Sequence, residues 1–350
     1  MQIMWREGKP TRESMASRRL LLSYFSVLFV VLFFFPVLTS AARCHPEDKA
    51  ALLDIKKAMG DPYIIISWDP KVDCCSWLAL KCDPKTNRVY DLDISGDNVS
   101  GTISPSVSKL KSLTQLTMRK LTGLTGPIPT AICDMTTLTF LWLDWNELSG
   151  TIPACLSKLR SLTYINLSFN QLTGEIPASL ALLEKLDAIF LDHNRLTGRI
   201  PESFGHFRGS TPYLRLSHNN LIGEIPPSLG AMNFVNIDLS RNMLEGDASF
   251  LFGSTKPTQV LDISRNHNLS FDLSTVSFSK TLITLNIHHN KIYGAIPKSI
   301  LKISNLQQLN VSYNRLCGKI PQGANLKRFD EYSFWHNKCL CGPPLTPSCS

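Results

Sequence analysis

An α/β solenoid of about ten stacked turns, closed at each end by a disulfide-stapled cap, is the fold this sequence predicts. Three observations predict it. One apolar pattern recurs from Val89 to Pro321. An asparagine returns at one place in that pattern, at 146, 170, 194, 219, 242, 266, 290 and 314, with Asp97 and Gly123 at the same place in two earlier turns. Eight of the ten cysteines crowd at the two ends, four between 44 and 82 and four between 317 and 349. With 18% charged and 43% hydrophobic residues, the 350-residue chain is neither disordered, collagen-like nor a pure coiled coil.

The first segment is set apart. Leu20 to Leu38 is an uncharged apolar stretch preceded by Arg18 and Arg19 and followed by Ser40, Ala41 and Ala42. A basic start, an apolar run and a small-residue exit read as a secretory signal peptide rather than a membrane anchor. The polar stretch from Met1 to Glu13 is foreign to such a signal and makes Met15 an alternative start. Residues 1–42 are therefore read as a removed leader. The mature chain keeps 31 basic against 26 acidic residues, a charge of +5, and has no second run of spanning length. Secretion makes disulfides the default fate of the cysteines.

Residues 43–88 are expected to form the N-terminal cap. Pro46 to Met59, with Ala50, Leu52, Leu53, Ile55 and Ala58, reads as an amphipathic helix. Behind it come Trp68, Trp77 and the cysteines. Adjacent Cys74 and Cys75 are poor partners for each other, so Cys44 with Cys74 and Cys75 with Cys82 is the preferred pairing, although four cysteines allow three connectivities. Zinc is the less favoured reading in an oxidising compartment.

Residues 89–321 carry the repeat L-x-x-L-x-L-x-x-N-x-L-x-G-x-I-P. A clear copy is Leu162, Ile165, Leu167, Asn170, Leu172, Gly174, Ile176 and Pro177. The period of about 24 residues makes this a leucine-rich-repeat solenoid. Its L-x-L segments form short strands with leucines inward, and stacking them gives a parallel sheet on the concave side. The asparagine amide satisfies backbone groups where the chain bends, glycine permits the turn, and Ile-Pro opens a second extended stretch. Three turns depart: Met118 to Gly123 gains a residue and lacks Asn, Asp247-Ala248 replaces Ile-Pro, and the eighth turn adds His267. Local bulges are expected there. Cys133 and Cys155 lie on adjacent turns, two positions out of register, and read equally as a bridge or as two buried thiols. Residues 322–350 are expected to form the C-terminal cap, with Cys317, Cys339, Cys341 and Cys349 paired sequentially.

The plant-type repeat between two four-cysteine caps, with stretches such as Cys44 to Lys49, Gly60 to Tyr63, Leu244 to Ser249, Asn290 to Gly294, Cys317 to Pro321 and Cys339 to Gly342, resembles the plant polygalacturonase-inhibiting proteins over essentially all of residues 44–349. That resemblance implies a cell-wall protein that binds fungal or insect endo-polygalacturonases through its concave sheet and limits pectin degradation. It implies an inhibitor, not an enzyme, acting as a monomer without a cofactor. The binding positions it implies are Arg119, Lys120, Trp142, Asp144, Trp145, Asn166, Ser168, Phe169, Phe190, Asp192, His193, Arg215, His218, Asp238, Arg241, Asp262 and His288, with His289 beside the last. Two features depart from the family: Asn166 and Asn286 stand where it often has Asp, and Trp142 and Phe190 where polar or basic side chains are common.

Read without the family, the outward strand positions hold seven acidic residues (Asp91, Asp93, Asp144, Asp187, Asp192, Asp238, Asp262) and five basic ones (Arg119, Lys120, Arg215, Arg241, Arg265). That near balance gives no strong field on the sheet for steering a polyanion, and no nucleic-acid partner is expected, while +5 overall suits retention on acidic pectin. Trp142, Trp145, Phe169 and Phe190 have the composition of a protein-binding hot spot. Trp142 and Phe190 must face outward, whereas Trp145 and Phe169 are open to an alternative in which they pack along the sheet edge. Asn98, Asn166, Asn268 and Asn310 begin N-x-S sequons and are candidate glycan sites. No phosphate loop, G-x-S-x-G or H-E-x-x-H is present, and His288 and His289, adjacent on a strand, are expected to face apart. A signalling, receptor-associated role is the alternative function, with ice binding a minor one.

Overall fold

The computed structural model describes residues 44–207, 213–346 and 349. The expected signal peptide and leader, residues 1–42, lie outside them. Among the described residues no helix is long and apolar enough to cross a membrane.

One long sheet carries the stacking. An antiparallel strand, Leu80–Cys82, pairs with Val89–Thr102 and starts it. Parallel strands follow turn by turn: Gln115–Pro127, Phe140–Trp142, Tyr164–Asn166, Ala188–Phe190, Tyr213–Arg215, Asn236–Asp238, Val260–Asp262, Thr284–Asn286 and Gln308–Asn310. The register places Leu116, Leu141, Ile165, Ile189, Leu214, Ile237, Leu261, Leu285 and Leu309 side by side. All nine are buried, so the strand-middle leucines form one continuous apolar ladder. No single turn encloses it; stacking does.

The repeat asparagine ties each turn to the one before. Asn170 donates from Nδ2 to the carbonyls of Leu143, Leu167 and Ser168 at 2.8, 3.1 and 3.1 Å, and its Oδ1 accepts from Leu148 N–H at 3.0 Å. Buried backbone groups at a tight bend have no water to turn to, which is why a side chain with both donor and acceptor stands there. The C-terminal cap continues the device. Asn337 donates to Val311 and Phe334 carbonyls at 3.1 and 2.8 Å and accepts from Leu316 N–H, while fully buried Phe334 takes the leucine position.

On the outer side most turns run into a short 3₁₀ helix opened by the repeat proline, as at Pro129, Pro153, Pro177, Pro201 and Pro297. The seventh and eighth turns, which lack Ile-Pro, use an aspartate instead: Asp247 and Asp272 accept from Ser249 and Ser274 N–H at 2.7 and 2.9 Å, and the 3₁₀ pieces shorten to Ser249–Leu251 and Leu273–Thr275. In the second turn, which lacks Asn, the strand Gln115–Pro127 runs on through the bend, and its pairing with Val89–Thr102 shifts register between Asn98 and Gly101.

At the N-terminal end the helix α1, Pro46–Ala58, buries Ala51, Leu52 and Ile55. Asp48 on the same face is fully buried, accepts from Val89 N–H at 2.9 Å and pairs with Arg88 at 2.8 Å. Burial pushes its carboxyl up, against the backbone hydrogen bond and the guanidinium. The cap cysteines pair as Cys44–Cys74 and Cys75–Cys82, and the C-terminal ones as Cys317–Cys339 and Cys341–Cys349. Cys133 and Cys155, left open above, are bridged with Cα atoms 5.7 Å apart.

Candidate protein-interaction face

The concave sheet presents its side chains in rows, because parallel strands in register place equivalent residues side by side. The first half of those rows is aromatic. Phe140 stacks on Tyr164 with ring centroids 4.2 Å apart, Trp142 tilts against both at 5.6 and 5.8 Å, and Phe190 meets Tyr164 edge-on at 5.5 Å. An arginine closes each side. Arg119 lies 3.9 Å from the Trp142 ring centroid and Arg215 lies 5.6 Å from that of Phe190. Both are anchored from below: Arg119 pairs with Asp144 at 3.2 Å and Arg215 with Asp192 at 3.4 Å.

This arrangement corrects part of the expected contact set. Asp144, Asn166, Ser168 and Asp192 were expected on the solvent face, yet they are only 5%, 6%, 4% and 1% exposed. The reason is size. Asn166 sits in register between Trp142 and Phe190, and the large rings and the arginines shade the short side chains. Beneath them a polar network forms: Asn166 Nδ2 donates to Asp144 at 3.3 Å, and Ser168 Oγ donates to Asp192 at 2.7 Å. The carboxylates hold the arginines; what the surface offers a partner is rings and guanidinium.

Phe140 and Tyr164 were missed by sequence reasoning. They precede the first leucine of L-x-L, two positions before Trp142 and Asn166, and period-2 alternation alone places them on the same face.

Along the rim runs a second row. Trp145, Phe169, His193 and His218 all adopt φ between 53° and 56°, and their rings stack at 3.8, 4.0 and 3.9 Å. Edge packing, the alternative weighed for Trp145 and Phe169, is what the structure has, with Trp145 still half exposed. Lys120, Arg241 and Arg265 occupy the same left-handed position in other turns.

The later turns are polar. Asp238 and Asp262 face each other across adjacent strands. Burial first, and the Asp238 charge second, push the Asp262 carboxyl up. His288 and His289 do not face apart: their Nδ1 atoms are 2.6 Å from each other. The left-handed φ of 55° at His289 swings its ring back over its neighbour. Desolvation, then His289, Arg265 and Arg241, lower His288 from 6.5 to about 4. The unfolded chain therefore binds the extra proton between those values, and stability is lost as pH falls from 6.5 towards 4. Asp262, raised, acts in the opposite sense. A His288→Gln variant is expected to lose less melting temperature than the parent between pH 7 and pH 4.5; an equal loss in both refutes the assignment.

The sequons divide by burial. Asn166-x-Ser168 and Asn310-x-Ser312 repeat the geometry of Asp238-x-Ser240 and Asp262-x-Ser264, in which the serine N–H bonds back to the first residue at 2.9–3.1 Å. They are a strand-end device of the repeat. The Asn166 amide is buried against Asp144 and the Tyr164 hydroxyl, so the expectation of a glycan there is corrected along with that of a contact. Asn98 and Asn268 are exposed. Glycopeptide mapping of the secreted chain is expected to find sugar at Asn98 and Asn268 and none at Asn166; an Asn166 glycopeptide refutes this.

Comparison with known proteins accords with the geometry. Residues 45–83 match the family described as "Leucine rich repeat N-terminal domain", and residues 136–196, 213–232 and 305–324 match leucine-rich-repeat families. The chain is 60% identical over 330 residues to "Polygalacturonase inhibitor" of Pyrus communis, covering 94% of this chain and 99% of that protein. It is 59% identical over 326 residues to "Polygalacturonase inhibitor 2" of Arabidopsis thaliana, covering 92% and 98%. Among solved structures, a plant ice-binding protein superposes with a TM-score of 0.84 at 44% identity, covering 88% of this chain and 99% of that one.

Proposed function

This chain belongs to the polygalacturonase-inhibitor family of leucine-rich-repeat proteins, and on that premise we propose that it is an extracellular inhibitor of fungal or insect endo-polygalacturonases that limits pectin degradation in plant defence. It acts as a monomer by occlusion, with no chemistry and no cofactor of its own. The observation that carries the reading is the concave patch of Phe140, Trp142, Tyr164 and Phe190 between Arg119 and Arg215, in a chain this similar to named inhibitors. Aromatic rings and arginine are the side chains that dominate protein–protein hot spots. Lys120, Trp145, Phe169, His193 and His218 along the rim, with Asp238, Arg241, Asp262 and His288 in the later turns, extend the contact area. Five disulfides support an oxidising, extracellular home.

The test is reducing-end release from polygalacturonate by a panel of fungal and insect endo-polygalacturonases, with and without the secreted chain. Dose-dependent inhibition of any member supports the reading. Failure across the panel by folded, monodisperse protein overturns it and makes receptor-associated signalling the leading account. Absence of thermal hysteresis removes ice binding. The net charge adds retention in the wall on acidic pectin: moderate salt is expected to release the protein from walls, and insensitivity to salt refutes that part.

A further inference from the structure

We propose that His288 and His289, just after the strand Thr284–Asn286, form a binding site for a copper(II) ion, apart from the aromatic patch. A strand ordinarily sends neighbouring side chains to opposite faces, so adjacent histidines do not share an ion. Here the left-handed backbone of His289, with φ 55°, turns its ring back until the two Nδ1 atoms are 2.6 Å apart. Both residues are half-buried.

An ion bound to an imidazole nitrogen lies in the plane of that ring, so two imidazoles share one ion only where their planes cross close to both nitrogens. The His288 and His289 rings stand 77° apart with centroids at 4.7 Å, and with the nitrogens this near each other their planes cross beside both. His193 and His218 supply the contrast. Their centroids are 3.9 Å apart with only 16° between the planes, a stack in which no single position lies in both rings' planes near the nitrogens. Of these two touching pairs, the adjacent one has the geometry of a chelate.

The spacing selects the metal. Bonds of about 2.0–2.1 Å put two nitrogens about 2.9 Å apart when they subtend a right angle at the ion, and about 3.3 Å apart at the tetrahedral angle. At 2.6 Å the pair is nearer to the right angle, the arrangement of tetragonal copper(II) rather than of tetrahedral zinc(II). Copper(II) also heads the affinity order of first-row dications for nitrogen ligands. As the ion enters, the proton between the nitrogens moves to Nε2 of its own ring, so both rings bind as neutral imidazoles and water completes the coordination. Arg265 and Arg241, whose charges reach His288, oppose a dication and keep the site weaker than two imidazoles alone would make it. A bound ion fixes His289, the ring on which Tyr313 stacks at 4.1 Å and His336 after it at 4.2 Å, and with it the late part of the rim.

The test strips the secreted chain with a chelator and titrates it with copper(II) chloride in a calorimeter. The bound ion is then read by electron spin echo envelope modulation, which counts coordinated imidazoles. Saturable binding with two imidazoles is expected, weakened roughly tenfold or more and reduced to one imidazole in His288→Gln and in His289→Gln. His218→Gln is expected to match the parent, and zinc(II) chloride to bind more weakly than copper. Copper held by other histidines is common to parent and variants and cancels in the comparison. Unaltered affinity in both pair variants, a single imidazole in the parent, an equal loss in His218→Gln, or zinc bound as tightly as copper overturns the proposal. Melting temperatures are taken alongside, and where a variant does not fold the imidazole count of the parent decides alone. No polygalacturonase enters the assay, so this inference and the inhibitor reading fail separately.

Discussion

Replacing Trp142 by alanine is expected to raise the concentration of the chain that halves polygalacturonase activity by roughly 30-fold, a loss of about 2 kcal/mol on the hot-spot scale. The size follows from what the ring does. It carries apolar area on an outward strand position, it holds the Arg119 guanidinium 3.9 Å from its centre, and it braces Phe140 and Tyr164. Removing it takes away an anchor and frees the arginine at once. Phe190→Ala, at the other end of the patch against Tyr164, is expected to cost a comparable amount. The double variant should lose less than the two combined, because both rings lean on Tyr164 and residues that share a partner do not add. Dose–response curves in the reducing-end assay measure all three. A near-zero shift for Trp142→Ala in protein of unchanged melting temperature places the interface elsewhere on the sheet.

Asn219→Ala is expected to destabilise the fold by about 3–5 kcal/mol, while Asn220→Ala, one residue on, is expected to stay within about 0.5 kcal/mol of the parent. Asn219 is buried. It donates to the carbonyls of Leu191, Leu216 and Ser217 at 3.0, 3.1 and 3.2 Å, and accepts from Leu196 N–H at 3.0 Å. Alanine strands three of these groups where water does not reach, the Ser217 carbonyl keeping its bond from His193 N–H, and each unsatisfied group costs about 1–3 kcal/mol, less than additively. Asn220 is exposed, with only its backbone N–H bonded, to Leu196. Thermal melts should separate the pair by on the order of 5–10 °C. Equal melting temperatures would show that the asparagine ladder is not what holds the turns.

The solenoid was legible because its information is periodic. The leucines, the asparagine and the Ile-Pro each recur at a fixed interval, and a pattern read ten times corrects its own local exceptions. Even the substitution of Asp247 for Ile-Pro, visible as a break, resolves into another way of starting the same outer turn. The face was less legible. Alternation along a strand says which side a residue is on, but not whether larger neighbours cover it. Asp144, Asn166, Ser168 and Asp192 are on the predicted side and under it. The His288–His289 contact was hidden for a different reason: one left-handed residue overrides the two-residue alternation. Asn337 escaped notice because Phe334 and Cys339 stand where the repeat has leucines, so the last rung of the ladder did not look like one.

The left-handed residue at the end of each concave strand also bears on how such a surface diversifies. Lys120, Trp145, Phe169, His193, His218, Arg241, Arg265, His289, Tyr313 and His336 share it, with φ from 52° to 56°. That backbone costs a non-glycine residue roughly 1 kcal/mol and bars proline and β-branched side chains, but it takes little account of what an unbranched side chain carries beyond Cβ. Cation, indole, phenyl, phenol and imidazole all stand there. Selection thus has ten adjacent positions whose chemistry can be rewritten one at a time without a change of backbone, and a single-codon change to valine or threonine at any of them is the kind the scaffold should reject. A lineage tracking a changing target can vary this rim at low cost in stability, and the variation should read as free among unbranched residues and silent for branched ones.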